Sequence, residues 1–172
     1  MDKDFLINLT IAIVLVLTQV LICNHIFIFN VAMSFVFIYV IIRMPMDMKT
    51  DALLTWAFIC GLLVDLFSDT PGVNSLACTI LAMLKKPCMY AYVPRDDRTK
   101  SITPSIKELG FAVYGKYLLT MSAIYCFLAF TIEYFNFADI KEIVIMTVSS
   151  AVLTFLVILG VDSLIVSNEK RL

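Results

Sequence analysis

The sequence predicts an all-α integral membrane protein, a single domain over residues 1–172 with six transmembrane helices, and three observations carry that reading. Apolar residues make up 61% of the chain in near-continuous runs, at a mean hydropathy of +0.94. Charged residues are only 16%, against roughly 25% in a soluble domain. All but one of the 13 basic residues fall on one side of the topology those runs imply.

A span needs about 20 apolar residues, with roughly 17–25 tolerated. Six runs qualify or come close: Phe5–Ile22, Ile26–Ile42, Ala52–Phe67, Gly72–Leu84, Leu109–Ile132 and Ile143–Val166. No small-residue cleavage site ends the first run, so it reads as a retained span rather than a removed signal peptide. Cys23-Asn24-His25 joins the first two spans tightly, and Ser68–Pro71 joins the third and fourth. The fourth run is short, and its helix is expected to extend through Lys85 and Lys86, whose stems reach toward headgroups, until Pro87 bends or ends it.

Direction follows from charge. Lys3, Arg43, Lys49, Lys85, Lys86, Arg95, Arg98, Lys100, Lys107, Lys116, Lys170 and Arg171 share one side, and Lys141 stands alone on the other. The positive-inside rule then puts both termini in the cytoplasm. The longest polar stretch, Pro94–Glu108, lies on that same side. The fifth helix is expected to start within it, from Thr103 with Pro104 at the first helical position or from a Ser105/Glu108 capping box. Lys85, Lys86, Arg95, Arg98, Lys100 and Lys107 are candidate contacts to anionic lipid or to cytoplasmic proteins.

Small residues recur at helical spacing in the third and fourth spans. Ala57, Gly61 and Asp65 share one face, and Gly72, Ser75, Thr79 and Ala82 another, a pattern that lets membrane helices approach closely. Asp65 is the costly residue, because a carboxylate near the end of an apolar span needs a partner or a purpose. One reading has it accept hydrogen bonds from the free N–H groups that open the fourth helix, just past Asp69-Thr70-Pro71. On that reading an amide at position 65 is tolerated. The other reading is a partner contact or a proton-binding site. Asp69 or Thr70 is the expected N-cap, with Pro71 near the first turn. Asp162, near the cytoplasmic end of the sixth span, reads first as an interfacial acid near a helix end, with pairing to a lysine of the basic loop or to the Arg43 side as the alternative. Glu133, Asp139 and Glu142 make the connection before the sixth span acidic, a solvated turn or a candidate partner contact.

Signatures of chemistry are absent from the chain. It has one histidine, no G-x-S-x-G, no H-E-x-x-H and no G-x-x-x-x-G-K-[ST], so no catalytic residue, cofactor or metal site is expected, and no nucleic-acid partner. Of the five cysteines no pair has metal-ligand spacing, and they read as small buried hydrophobes.

One ordered set of segments carries a family resemblance: Gly61-Leu62-Leu63-Val64-Asp65-Leu66-Phe67-Ser68-Asp69-Thr70-Pro71-Gly72, Tyr92-Val93-Pro94-Arg95-Asp96, Thr103-Pro104-Ser105-Ile106-Lys107-Glu108-Leu109-Gly110, Glu133-Tyr134-Phe135 and Leu153-Thr154-Phe155. With these the chain resembles the MreD family of rod shape-determining membrane proteins, in its Bacteroidota form. It lacks, across Val31–Phe35, the proline that relatives often carry near the start of the second span. The resemblance implies a six-helix fold similar to the substrate-binding subunits of energy-coupling-factor transporters. It also implies a non-enzymatic scaffold of the cell-wall elongation machinery in the bacterial inner membrane. The partners it implies are MreC first, then MreB, RodA and a penicillin-binding transpeptidase. A small-molecule-binding subunit for a vitamin or lipid, on the same fold, is the competing expectation.

Overall fold

Six α-helices and no strand appear among the residues that the computed structural model describes, which are 3–21, 33–68, 70–93, 103–134 and 140–169. In chain order they are α1 (Lys3–Leu21), α2 (Tyr39–Arg43), α3 (Thr50–Ser68), α4 (Val73–Tyr92), α5 (Ile106–Glu133) and α6 (Ile140–Glu169). A 3-10 turn, Val36–Ile38, leads into α2. α3 packs on α4, α4 on α5 and α5 on α6, while α1 lies against the 3-10 turn and α3.

Among the described residues, three helices are long and apolar enough to cross a membrane: Thr50–Ser68, Ile106–Glu133 and, within α6, Ile140–Ser163. Thr10–Leu21 is a shorter apolar helix. The polarity of α6 shows how the chain divides lipid from interior. Val144, Ile145, Val148, Val152 and Leu156 point outward and are exposed. Thr147, Ser150, Thr154 and Asp162 lie on the buried face. Hydroxyls elsewhere close on their own helices: Thr18, Thr55, Thr79 and Thr120 each donate to the carbonyl four residues earlier, at 2.8–2.9 Å. Internal satisfaction of this kind is what a hydrocarbon surrounding demands. The chain is a membrane protein.

The apolar run Ile26–Ile42 does not form the single helix expected of it. Residues 26–32 lie outside the described residues, and Met33–Phe35 is non-helical before the 3-10 turn and the short α2. Residues from Phe35 through Ile42 are all buried, so this segment threads the interior of the bundle. Non-helical backbone at such depth needs partners from elsewhere. Ser150 Oγ accepts from Met33 N–H and Thr154 Oγ1 from Phe35 N–H, each at 3.0 Å. Gln19 closes both sides of a two-pronged clip, donating Nε2 to the Ser34 carbonyl (3.0 Å) and accepting Val36 N–H at Oε1 (2.9 Å). The Phe35 and Phe37 rings meet Tyr125 edge-on, with centroids 5.1 and 5.7 Å apart.

The fourth helix extends through Lys85 and Lys86 as expected, runs on past Pro87, and departs from expectation at its start. Pro87 neither ends it nor marks its boundary; α4 continues to Tyr92. Its N-cap position is Gly72 rather than Asp69 or Thr70, in a left-handed conformation (φ 87°) that glycine adopts without a Cβ penalty. Asp69 lies outside the described residues. At α5 the Ser105/Glu108 register is the one adopted: Ser105 is the N-cap, and its hydroxyl accepts Glu108 N–H at 3.4 Å.

Candidate functional site

Two buried carboxylates, one near each end of the bundle, organise the polar interior. The first is built on the α3–α4 hairpin. Ala57, Gly61 and Asp65 form the face of α3 turned into the protein, and all three are buried. Gly61 brings the backbones together: a Cβ there would stand 2.5 Å from Ser75 Cα and 2.6 Å from the Asn74 carbonyl oxygen. That approach delivers Asp65, one turn further on, to the open N-terminus of α4.

Asp65 Oδ1 accepts Asn74 N–H (2.9 Å), Asn74 Nδ2 (2.9 Å) and the Thr70 hydroxyl (3.1 Å). Oδ2 accepts Ser75 N–H and the Ser75 hydroxyl, both at 2.8 Å. The carboxylate therefore takes orphan backbone donors of the first turn of α4, and the positive end of that helix adds to the attraction. A cap delivered from the preceding helix displaces the local cap expected at Asp69 or Thr70. Thr70 still contributes, as a hydroxyl bridging Asp65 and Asn74 Nδ2 (3.1 Å). Pro71 and Gly72 are exposed and make the turn. Asn74 passes the network on, because Tyr125 OH donates to its Oδ1. Of the small face predicted on the fourth helix, Ser75 and Ala82 are buried and Gly72 is exposed.

The second carboxylate is Asp162, fully buried on α6. Its Oδ1 accepts Tyr39 OH (2.6 Å) and its Oδ2 accepts the backbone N–H of Ile106 (3.2 Å), the first residue of α5. Arg43 Nη1 donates to the same Tyr39 hydroxyl at 2.9 Å, and its guanidinium sits 5.9 Å from the Tyr39 ring centroid. Asp162 thus meets the Arg43 side, through a tyrosine. Ile106 and Tyr125 stand roughly 28 Å apart along α5 at 1.5 Å per residue, so the two carboxylate networks occupy opposite halves of the bundle.

Of the two α4 lysines, Lys85 corrects the expectation of lipid contact. Lys85 is fully buried and donates to the Met44 carbonyl. Lys86 donates to the Met48 carbonyl (3.0 Å) and the Thr50 hydroxyl (3.3 Å). The non-helical connection from Met44 to Lys49 leaves carbonyls without helical partners, and two adjacent ammonium groups satisfy them. Lys107 is exposed at the start of α5, whereas Arg95, Arg98 and Lys100 lie outside the described residues. Glu133 ends α5 and Glu142 sits in the first turn of α6, both exposed; Asp139 lies outside the described residues.

Among the described residues no group of three histidine, cysteine or acidic side chains is placed to hold a metal ion. Cys60, Cys78 and Cys126 are buried free thiols. Several buried hydroxyls have no hydrogen-bond partner, among them Ser34, Tyr114, Tyr117, Ser122 and Thr147. On the outside of α6 a shallow groove of about 640 Å³ runs along Val144, Val148, Ser149, Val152 and Leu156.

Sequence reading found Asp65, Gly61 and Asp162, and Ser75 only as a small packing residue, but not the side-chain partners that complete the networks. Asn74, Ser75, Tyr125, Tyr39, Gln19, Ser150 and Thr154 complete the networks. The signal for part of this set is visible in retrospect: Thr147, Ser150, Thr154 and Asp162 repeat at helical spacing inside an otherwise apolar span. No protein-family model, curated protein or solved structure matches the chain.

Proposed function

We propose that this chain is a non-enzymatic membrane scaffold of the bacterial cell-wall elongation complex. It would sit in the inner membrane with both termini cytoplasmic and support rod shape through MreC and the wall synthases. The resemblance to the MreD family supplies the partners: MreC foremost, with MreB, RodA and a penicillin-binding transpeptidase beyond it. The observation that favours a scaffold is where the polar groups of the resemblance motif go. Asp65 and Thr70 of that motif are occupied with each other and with Asn74 and Ser75, just beyond it, inside the α3–α4 hairpin. The surfaces offered to other proteins are then apolar helix faces, such as the outward side of α6, and the acidic connection that includes Glu133, Asp139 and Glu142.

The testing experiment is purification with MreC in mild detergent, without nucleotide, alongside depletion in rod-shaped cells. A stable complex and rounded or swollen cells are expected. Reversing the charges of Asp139 and Glu142 together weakens the complex if that connection contributes and leaves it intact if helix faces dominate. A second reading, a vitamin- or lipid-binding membrane subunit, draws on the buried unpartnered hydroxyls of Ser34, Ser122 and Thr147 and on the non-helical Met33–Phe35 segment. Non-helical backbone within a bundle is where membrane transporters place small polar ligands. Isolation with a bound small molecule and no affinity for MreC would replace the scaffold reading with this one.

A further inference from the structure

Tyr125 belongs to two networks at once. Its hydroxyl donates to Asn74 Oδ1. Asn74 in turn donates Nδ2 to Asp65 Oδ1 (2.9 Å) and to the Thr70 hydroxyl (3.1 Å). The Tyr125 ring meets Phe35 and Phe37 edge-on, at interplanar angles of 66° and 86°. The first network reaches the exposed Pro71–Gly72 turn through Thr70. The second belongs to the non-helical segment, which α6 holds where Thr154 Oγ1 accepts Phe35 N–H (3.0 Å).

Neither side of Tyr125 has slack. The Asn74 side chain uses Oδ1 and Nδ2 together, so it cannot turn away from Tyr125 without also giving up Asp65 and Thr70. The phenol is rigid, and its hydroxyl and ring edges move as one body. Tyr125 is fully buried, and Phe35 and Phe37 are buried beside it. Phe35 is further held by the Phe130 ring, with centroids 5.9 Å apart. A shift of Asn74 therefore has two outcomes: the ring swings against Phe35, or the hydroxyl stays behind and a buried donor loses its acceptor. Close-packed interiors pass on such strain rather than absorb it.

We propose that Tyr125 couples the α3–α4 cap to the non-helical segment, so that a disturbance at Asp65 or Thr70 is passed through Asn74 and Tyr125 to Phe35, and from Phe35 to Thr154 on α6. Coupling of this kind is reciprocal: loosening Phe35 at Thr154 must loosen the cap in return. It makes the two polar networks one conformational unit. A protein or lipid seated on the exposed Pro71–Gly72 turn then acts on the backbone at Phe35 without touching it. The device does not depend on which partner that is.

Residue-resolved amide hydrogen exchange on the full chain in lipid nanodiscs tests it. Asp65→Asn should speed exchange several-fold at the Phe35 and Val36 amides, which Asp65 does not bond, and leave residues 158–161 of α6 unchanged. Thr154→Val should speed exchange several-fold at the Asn74 and Ser75 amides. Tyr125→Phe keeps the ring and removes the hydroxyl, so in that background Asp65→Asn should no longer change exchange at Phe35 and Val36. Unchanged exchange at Phe35 and Val36 in Asp65→Asn overturns the coupling. So does an equal rise at residues 158–161, which would mark general loosening of the fold. The same several-fold rise in the Tyr125→Phe background would show that Tyr125 is not the carrier. If Tyr125→Phe does not fold, the Thr154→Val arm decides, because unchanged exchange at Asn74 and Ser75 breaks the required reciprocity.

Discussion

Ser75 gives Asp65 both its backbone N–H and its hydroxyl, each at 2.8 Å from the same carboxylate oxygen. The other oxygen is held by Asn74 and Thr70. With both oxygens accepting, position 65 has no room for a donor. Asp65→Asn must point an NH2 group at one of the two sets, leaving at least one backbone N–H of α4 unpaired at a cost of about 1–3 kcal/mol. Asp65→Leu removes all the acceptors and should cost more. Thermal unfolding in detergent checks the order, with the native protein most stable, then Asn, then Leu. This replaces the tolerance for an amide that the sequence suggests, because both carboxylate oxygens accept a backbone N–H of α4 and an amide offers only one acceptor oxygen.

Gly61 should be intolerant even of alanine. The atoms a Cβ would meet at 2.5–2.7 Å belong to the α4 backbone at Asn74 and Ser75, which has no rotamer to change. The helices must separate instead, and that overpacking costs roughly 1–3 kcal/mol or more. It also draws Asp65 away from its donors. The yield of folded monomer in detergent should fall for Gly61→Ala and collapse for Gly61→Leu. Normal monomer yield for Gly61→Ala would show that the hairpin is looser than its geometry.

Lys85 offers a different balance. It is a fully buried lysine held on a backbone carbonyl, with no carboxylate paired to it among the described residues. Replacing a buried polar or ionic group with an apolar side chain of similar volume is often close to neutral, because the desolvation cost disappears along with the bond. Lys85→Met should therefore stay within about 1 kcal/mol of the native protein. Lys85→Ala opens a cavity and should cost about 2–5 kcal/mol. Equal losses for Met and Ala would mean that the bond to Met44, not the volume of the stem, is what α4 requires.

How much of this the sequence disclosed depends on how local the cause was. Asp65 could be found because a carboxylate near the end of one span, followed by Thr70-Pro71-Gly72, puts it close to the start of the next. Its actual cap geometry was hidden, since it depends on Gly61 bringing two backbones together. The Ser105 cap lies within four residues of Glu108 and was readable as one of two registers, although Glu108 reaches back to Thr103 N–H rather than to Ser105. The break at Met33–Phe35 was not, because Val31–Phe35 holds no proline and the whole run is apolar. The groups that make the break affordable come from distant helices: Gln19 on α1, Ser150 and Thr154 on α6. Lys85 was misplaced for a similar reason. Hydropathy puts a lysine at the membrane edge, and only the fold reveals a carbonyl waiting at Met44.

The non-helical segment gives the last prediction. Thr154 Oγ1 and Ser150 Oγ accept backbone N–H groups that have no helical partner, deep in the bundle where water is scarce. Thr154→Val keeps the shape and removes the acceptor, so Phe35 N–H is orphaned at a cost of about 1–3 kcal/mol. Thr154→Ser restores the acceptor and should recover most of that loss. Gln19→Leu orphans both the Ser34 carbonyl and the Val36 N–H, so it should cost more than Thr154→Val. Because all of these bonds hold one short stretch of backbone, their effects should not add: once Gln19 is lost, the segment can shift and Thr154 has less left to hold. Unfolding of the two single variants and the double variant in detergent measures this. A double variant with strictly additive losses would show that Gln19 and Thr154 act on separate pieces of structure and that Ser34–Val36 is not the shared element between α1 and α6.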